Sequence, residues 1–416
     1  MNLSKLVATS FAVAALAVPA ASKAQEAKPG EFKIPGTDST LKLYGYVQLD
    51  TTFDFSGRDP NVEGNDWAIH TANVPLNSSN EAALKKNQLY LTARTSRFGI
   101  QTNTPTGIGP VTVKLEGDFN SPNLESGQTF TNSVLFRLRH AYGNIDTTAG
   151  SFLVGQTWSN FLDLATYPDV VDFNGPGSIA LVRQPMIKYT AALAPGMSLA
   201  IAAENAPGTD GNDFGSLDAQ TLIQTLPDFS ANLGLSGKWG SASIRGVTTR
   251  RVQLDGATVS ASTKQLTKQG FGGAASGAFK LGADTLVAHG VYGWGISRYI
   301  FNVGLSTGPV AVGANGDLEN IPAGAYHVGY THVWNPMFRS NLVWSQTFIQ
   351  NPDTNGVNFA GSSTNKRIDQ AFVNTFWTVT KTVEFGLEYA WGRRVQWNDA
   401  EGRQNRVTGT FHYNFF

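Results

Sequence analysis

In "VTVKLEGDF", residues 111–119, Lys114, Glu116 and Asp118 recur at every second position between Val111, Val113, Leu115 and Phe119. In "LFRLRHAY", Arg137 and Arg139 alternate with Phe136 and Leu138. Successive side chains of an extended chain point to opposite faces, so each segment collects ions on one face and apolar groups on the other. Guanidinium groups present paired donors that fit a carboxylate. Arg94, Arg137, Arg139 and Arg183, with Lys114 and Lys188, are therefore candidates for attracting solutes that carry carboxylates. A third stretch, "SNFLDLATYPDVVDFNGPGSIALV", mixes Asp163, Asp169 and Asp172 with Phe161, Leu162, Leu164, Val170, Val171, Phe173, Ile179 and Leu181. The same arginines would serve equally well to neutralise these aspartates, or Glu116 and Asp118, and both readings stay open.

Catalytic and metal chemistry find less support. His140, His289, His327, His332 and His412 are scattered, with no zinc-ligand spacing. There is no nucleophile elbow and no phosphate loop. The chain has no Cys, which removes thiol catalysis, disulfides and Cys-ligated metals together and suits passage through an oxidising compartment. No cofactor or metal is expected. A Ser/His pair assembled only by folding is the remaining route to a hydrolase.

The elements that must position the ions are strands. "LKLYGYVQLDTTFDF", residues 41–55, places Leu41, Leu43, Val47, Leu49, Phe53 and Phe55 on one side and Lys42, Tyr44, Gln48, Asp50 and Asp54 on the other. About sixteen such stretches can be found, beginning near Leu41, Asn87, Pro110, Val134, Gly150, Gln184, Met197, Phe229, Ser241, Gly270, Thr285, Ala325, Phe338, Gln370, Val383 and Asn405. Long and tight connectors alternate along the whole chain. The long ones are expected at 56–85, 120–133, 159–183, 205–227, 252–268, 295–323, 349–368 and 393–404. That rhythm belongs to an up-and-down barrel with long loops at one end and short turns at the other.

Which face is wet follows from composition and from the chain's end. Only 15% of residues are charged and the charges sum to zero, which gives no reason to propose nucleic acid as a partner. The 44 glycines and 11% aromatics suit a chain of many strands and turns. "RVTGTFHYNFF" ends on Tyr413, Phe415 and Phe416, an aromatic end that a soluble protein would seldom leave exposed. Trp334, Phe338, Trp344, Phe348, Trp377, Tyr389 and Trp391 fall near strand ends, as rings at membrane interfaces do. The apolar face is therefore expected to meet lipid. The ions then line a lumen, where Asp50, Arg245, Arg251, Arg339, Glu384, Glu388 and Arg394 join those already named. Residues 159–183 would fold into the barrel, burying their apolar groups on the wall and holding their carboxylates in the channel. Residues 1–24 read as a secretory signal, with Lys5 before an apolar run from Leu6 to Val18 that is shorter than the about 20 residues of a spanning helix. Residues 25–39 would be a short periplasmic segment and 40–416 the barrel.

The run "LRHAYGNIDTTAGSFLVGQTWSNFLDLATYPDVVDFNGPGSIALVRQPMIKYT", residues 138–190, resembles the DcaP-like porins. "FKIPGTDSTLKLYGYVQLD" and "TSRFGIQTNTPTG" are similar to the opening strands of the same family. The resemblance runs from Phe32 to the end and is strongest before Asn205. It implies a homotrimeric, sixteen-stranded outer-membrane porin whose third loop forms the constriction, with a preference for negatively charged small solutes such as dicarboxylates. The periplasmic coiled-coil extension of some members has no counterpart in the short stretch before Phe32.

The expectation is thus an all-β, transmembrane, up-and-down antiparallel β-barrel of about 16 strands, acting as a passive diffusion channel. Its constriction would be lined by Arg94, Lys114, Glu116, Asp118, Arg137, Arg139, Asp163, Asp169, Asp172, Arg183 and Lys188. Expected partners are small anionic solutes, outer-membrane lipid and lipopolysaccharide, and further copies of the chain. A barrel-embedded hydrolase and a non-conducting structural barrel are the alternatives.

Overall fold

The computed structural model describes residues 30–58, 68–120, 135–205, 223, 225–255 and 262–415. The expected signal at 1–24 and the terminal Phe416 lie outside them. Twenty strands are described, named in chain order. The first ten are β1 (Glu31–Lys33), β2 (Thr40–Ser56), β3 (Gln88–Thr92), β4 (Arg97–Thr104), β5 (Val111–Asp118), β6 (Arg137–Thr147), β7 (Gly150–Trp158), β8 (Arg183–Ala194), β9 (Met197–Glu204) and β10 (Asp228–Gly237). The rest are β11 (Gly240–Leu254), β12 (Gln265–Leu281), β13 (Asp284–Trp294), β14 (Val310–Val312), β15 (Leu318–Asn320), β16 (Pro322–Asn335), β17 (Phe338–Ile349), β18 (Asn365–Thr378), β19 (Val383–Gln396) and β20 (Glu401–Asn414).

Successive wall strands pair antiparallel, and β2 pairs with β20, so the sheet closes on itself. β3 and β4 are two halves of one crossing, both paired to β2. β1 lies on the β2 edge just below the end of β20, and β14 and β15 form a separate hairpin within a loop. Sixteen strands therefore cross the wall, and the protein is a closed, all-β, antiparallel barrel. Closure matters physically, because a barrel leaves no open edge for hydrocarbon to strand without hydrogen-bond partners. At the seam Phe415 N–H donates to the Gly45 carbonyl at 3.0 Å. Gly45 sits at φ +153°, where a Cβ would lie 2.3 Å from the Arg97 carbonyl oxygen, so only glycine lets these chain segments meet.

The alternation is inside-out. On β2, Val47, Leu49 and Phe55 are exposed, while Asp50, Thr52 and Asp54 are buried. On β5, Val113 and Leu115 are exposed beside a buried Glu116 and Asp118. Stacked rings run round the lower end of the outer wall, Phe338 on Trp377 and Trp377 on Phe385, and Trp344 stacks on Trp391 near the upper end. No helix among the described residues is long and apolar enough to cross a membrane.

Two connectors are much shorter than the sequence suggests. Those expected at 252–268 and 393–404 shrink to 255–264 and 397–400, because β11, β12, β19 and β20 continue past the apolar band on polar residues. Where both faces of a strand are wet, alternation vanishes and the strand reads as loop. For the same reason β18 begins at Asn365, five residues before the expected Gln370.

The apolar core lies in the lumen. Phe161, Leu162 and Ile179 of residues 159–182 pack with Tyr299, Ile300 and Val303 of residues 295–321, against Val247, Ala274, Val291 and Ala325 on the inner wall. The third long connector is folded inward, as its mixture of apolar groups requires.

Candidate functional site

One side of the lumen, formed by β4, β5, β6 and β8, is basic. Two carboxylates at its centre organise the cations. Asp118 accepts from Arg137 Nε at 2.9 Å and Nη2 at 2.8 Å, and from Arg139 Nη1 at 2.7 Å. Glu116 accepts from Arg139 Nε and from the Tyr44 hydroxyl, both at 3.0 Å, with Lys114 at 3.3 Å and Arg97 at 3.5 Å. Arg183 has no carboxylate within 4.0 Å among the described residues, and its Nη1 meets no acceptor; its guanidinium lies 4.4 Å above the Trp158 ring. Aromatic faces seat the other cations as well, with Arg97 over Tyr46, Lys114 over Tyr44, and Arg137 and Arg139 over Phe173. Five cations therefore face two carboxylates across one patch of wall.

Two backbone irregularities build this patch. Between β3 and β4 the chain turns at Ala93–Ser96, with Ser96 N–H donating to the Ala93 carbonyl, and the outward positions change from Leu89 and Leu91 to Phe98. Arg97 thereby turns inward. A bulge opposite Glu116 and Gly117 leaves Arg139 unpaired in the register, so Arg139 and His140 both point into the lumen. Bulges re-aim side chains in this way.

The opposite side is filled by loops whose acids are already engaged. Asp163 accepts from the Ser243 hydroxyl at 2.9 Å and the Ser276 hydroxyl at 2.6 Å. Asp169 pairs with Arg339, which also pairs with Glu384. Asp172 is sealed, accepting from the backbone N–H groups of Ile69, Asn174 and Gly175. Glu388 on β19 in turn accepts from the N–H groups of Val171 and Asp172, each at 2.9 Å, and latches the loop to the wall. The expectation that Asp163, Asp169 and Asp172 stand in the channel is corrected here. Asp163 and Asp169 bind wall side chains on β11, β12 and β17, and Asp172 binds backbone groups of residues 69, 174 and 175, because a buried polar group without a partner is costly.

Besides residues 295–321, another inward segment was not foreseen. Residues 68–76, in the first long connector, lie buried against β18–β20, where Thr71 accepts from Gln370 Nε2 at 3.0 Å and the Ala72 carbonyl accepts from Asn365 and Arg394. Burial, with Arg406 nearby, pushes the His70 imidazole down to about 4, so it is neutral at pH 7. Parts of three connectors thus narrow the lumen, and the third loop reaches the basic side through Phe173.

The sequence profile of the DcaP outer membrane protein family matches residues 19–233 and 248–415. The chain belongs to that family. The outer membrane channel DcaP of Acinetobacter baumannii superposes with a TM-score of 0.75 at 26% identity, covering 92% of this chain and 99% of that one. An anion-selective porin from Comamonas acidovorans shares the fold with a TM-score of 0.58 at 12% identity, over 91% of this chain and 100% of its own. OmpT of Vibrio cholerae, in a trimer form, gives 0.54 at 13% identity, over 91% and 99%. No protein of curated function matches the chain. This DcaP-family barrel is an outer-membrane channel and lies in the bacterial outer membrane.

Of the candidate residues of this DcaP-family channel, Lys114, Glu116, Asp118, Arg137, Arg139 and Arg183 are brought together on one wall. Arg94 is buried at the β3–β4 turn, where its carbonyl accepts from Phe119 N–H. Lys188 lies apart on β8, level with Leu153, and has no carboxylate within 4.0 Å among the described residues. Arg97 was missed, since a strict period of two through residues 88–104 assigns it to lipid. The Ser/His pair sought for a hydrolase has one representative: the Ser178 hydroxyl donates to His327 Nδ1 at 2.9 Å, while Nε2 donates to the Thr166 carbonyl. Both residues are fully buried under the loop, out of reach of a solute.

Proposed function

We propose that the channel passes small hydrophilic solutes by passive diffusion with a bias toward anions, dicarboxylates in particular. One observation carries the reading: among the described residues Arg97, Lys114, Arg137, Arg139 and Arg183 face Glu116 and Asp118, while the loop carboxylates have other partners, Asp163 and Asp169 on β11, β12 and β17 and Asp172 on backbone N–H groups. A narrow passage with low-dielectric walls focuses such a field onto whatever crosses it. Arg183, with no carboxylate within 4.0 Å among the described residues, adds to the field a charge that no adjacent acid cancels. A dicarboxylate spans two cations where a monovalent anion meets one, which favours the former.

Residues 1–24 are read as a cleaved export signal, residues 25–39 as a short periplasmic segment, and the working form as a homotrimer, the state of the Vibrio relative. No catalytic role is assigned, since the buried Ser178 and His327 serve to hold the loop. Liposome swelling tests the proposal. Vesicles holding the purified protein are expected to swell faster in a C4 dicarboxylate than in a neutral polyol of equal size. Equal or slower swelling in the dicarboxylate would remove the anion bias and leave the channel.

A further inference from the structure

The outer wall carries a second cationic feature that the pore does not use. On β18, β19 and β20, above the Trp344–Trp391 pair, the outward positions change from apolar to arginine. The register sets Arg367 beside Val395 and Arg393 beside Arg403, and Tyr389, Leu387 and Val373 continue the same face downward as exposed apolar groups. From Val383 to Arg393 the strand climbs ten residues. At about 3.4 Å each and a tilt near 40°, that is about 26 Å, the height of the apolar band of such barrels. Arg393 and its neighbours therefore stand where the hydrocarbon ends.

We infer that this rim binds the phosphorylated headgroup of an outer-leaflet lipid. The cations outnumber the acids on this face. Arg393 pairs with Glu401 at 2.6 Å, Arg403 shares the same carboxylate at 3.3 Å, Arg367 pairs with Asp369 at 3.0 Å, and Lys366 lies over the Trp397 ring. Arg403 and Arg367 remain about half exposed. Beside them a cleft of about 670 Å³ is lined by Lys366 and Arg367 together with Phe348, Val395, Trp397 and one acid, Asp399. Arginine forks match phosphate oxygens, and the apolar strand face directly below offers a bed for acyl chains. That continuity selects a lipid over a soluble phosphate. It also explains why β19 and β20 rise past the apolar band as regular strands, holding the arginines at fixed spacing rather than ending in a loop.

The test is native mass spectrometry of the full-length protein in detergent, titrated with bisphosphorylated lipid A and with the same lipid stripped of phosphate. The phosphorylated form is expected to bind at least tenfold more tightly. Replacing Arg367→Gln, Arg393→Gln and Arg403→Gln together is expected to abolish the difference while conductance and oligomeric state stay unchanged, and the corresponding triple change to Lys is expected to retain most of it. Equal binding of the two lipids by the unmodified protein overturns the inference, and needs no variant to fold. So does full displacement of the lipid by millimolar inorganic phosphate, which would indicate a soluble ligand, or dissociation of the oligomer in the Gln variant, which would make this face a subunit contact.

Discussion

Substituting Arg183→Gln isolates the proposed field more cleanly than any other single change. The other central arginines bridge Glu116 or Asp118, so their removal strands a buried carboxylate and mixes two effects. Arg183 rests on Trp158 with no carboxylate partner. Glutamine keeps a shorter polar side chain with an amide donor and removes one charge. A monovalent ion passing about 6 Å away in water gains or loses about 0.7 kcal/mol from that charge, and screening at 0.1 M lowers this to about 0.4 kcal/mol. Anions lose this amount and cations gain it. The anion-to-cation permeability ratio should therefore fall by about fourfold, and by more where the passage is drier than bulk water. Reversal potentials across a tenfold salt gradient in planar bilayers read the ratio directly, and single-channel conductance checks that the pore is intact. A variant that conducts normally with an unchanged or higher ratio would refute the assignment of Arg183 to the ion path.

Three further outcomes follow from the same geometry. Glu388→Ala removes two hydrogen bonds from a carboxylate to the backbone of the third loop, about 3–6 kcal/mol of docking; noisier current and higher conductance are expected, and a trace like that of the unmodified protein would show that the latch is dispensable. His70 is held near 4 when buried and has an ordinary value of 6.5 when released. The released segment takes the proton first, so docking of residues 68–76 weakens as pH falls from about 6.5 toward 4, by up to about 3 kcal/mol. Conductance recorded at pH 5 and pH 8 should differ in the unmodified protein and not in His70→Gln, and an equal response in both would locate the titration elsewhere. Leu387→Arg places a charge on the lipid face of β19, 57% exposed, and should cost about 2–4 kcal/mol in denaturant titrations of vesicle-inserted protein; no loss of stability would mean that Leu387 does not face hydrocarbon.

The fold was legible because alternation survives wherever one face meets lipid and the other water. Val113 and Leu115 against Glu116 and Asp118 are enough to orient β5 without coordinates. Legibility ends where that contrast ends. Above the hydrocarbon both faces of β19 and β20 are polar, so Arg393 and Glu401 read as loop and the expected connector at 393–404 was too long. A single backbone irregularity is equally invisible, which is why Arg97 was not among the candidate residues and its inward turn became apparent only from the break at Ala93–Ser96. The third loop announced itself by carrying Phe161, Val171 and Ile179 into a stretch that could not leave them in water. Residues 68–76 gave no such signal, because the short run from Ala68 to Val74 is held chiefly by its own backbone groups and by side chains far away in sequence, such as Asn365, Gln370 and Asp172. The partners of the loop aspartates were likewise out of reach, since pairing Asp169 with Arg339 requires knowing how the loop crosses the lumen.

The central claim is an electropositive constriction left uncancelled by the loop that forms it. The zero-current potential of the unmodified protein in a potassium chloride gradient tests it most directly. The account predicts a potential of the sign set by chloride permeating faster than potassium, shrinking as salt is raised and the charges are screened. A potential of opposite sign at low salt would contradict it.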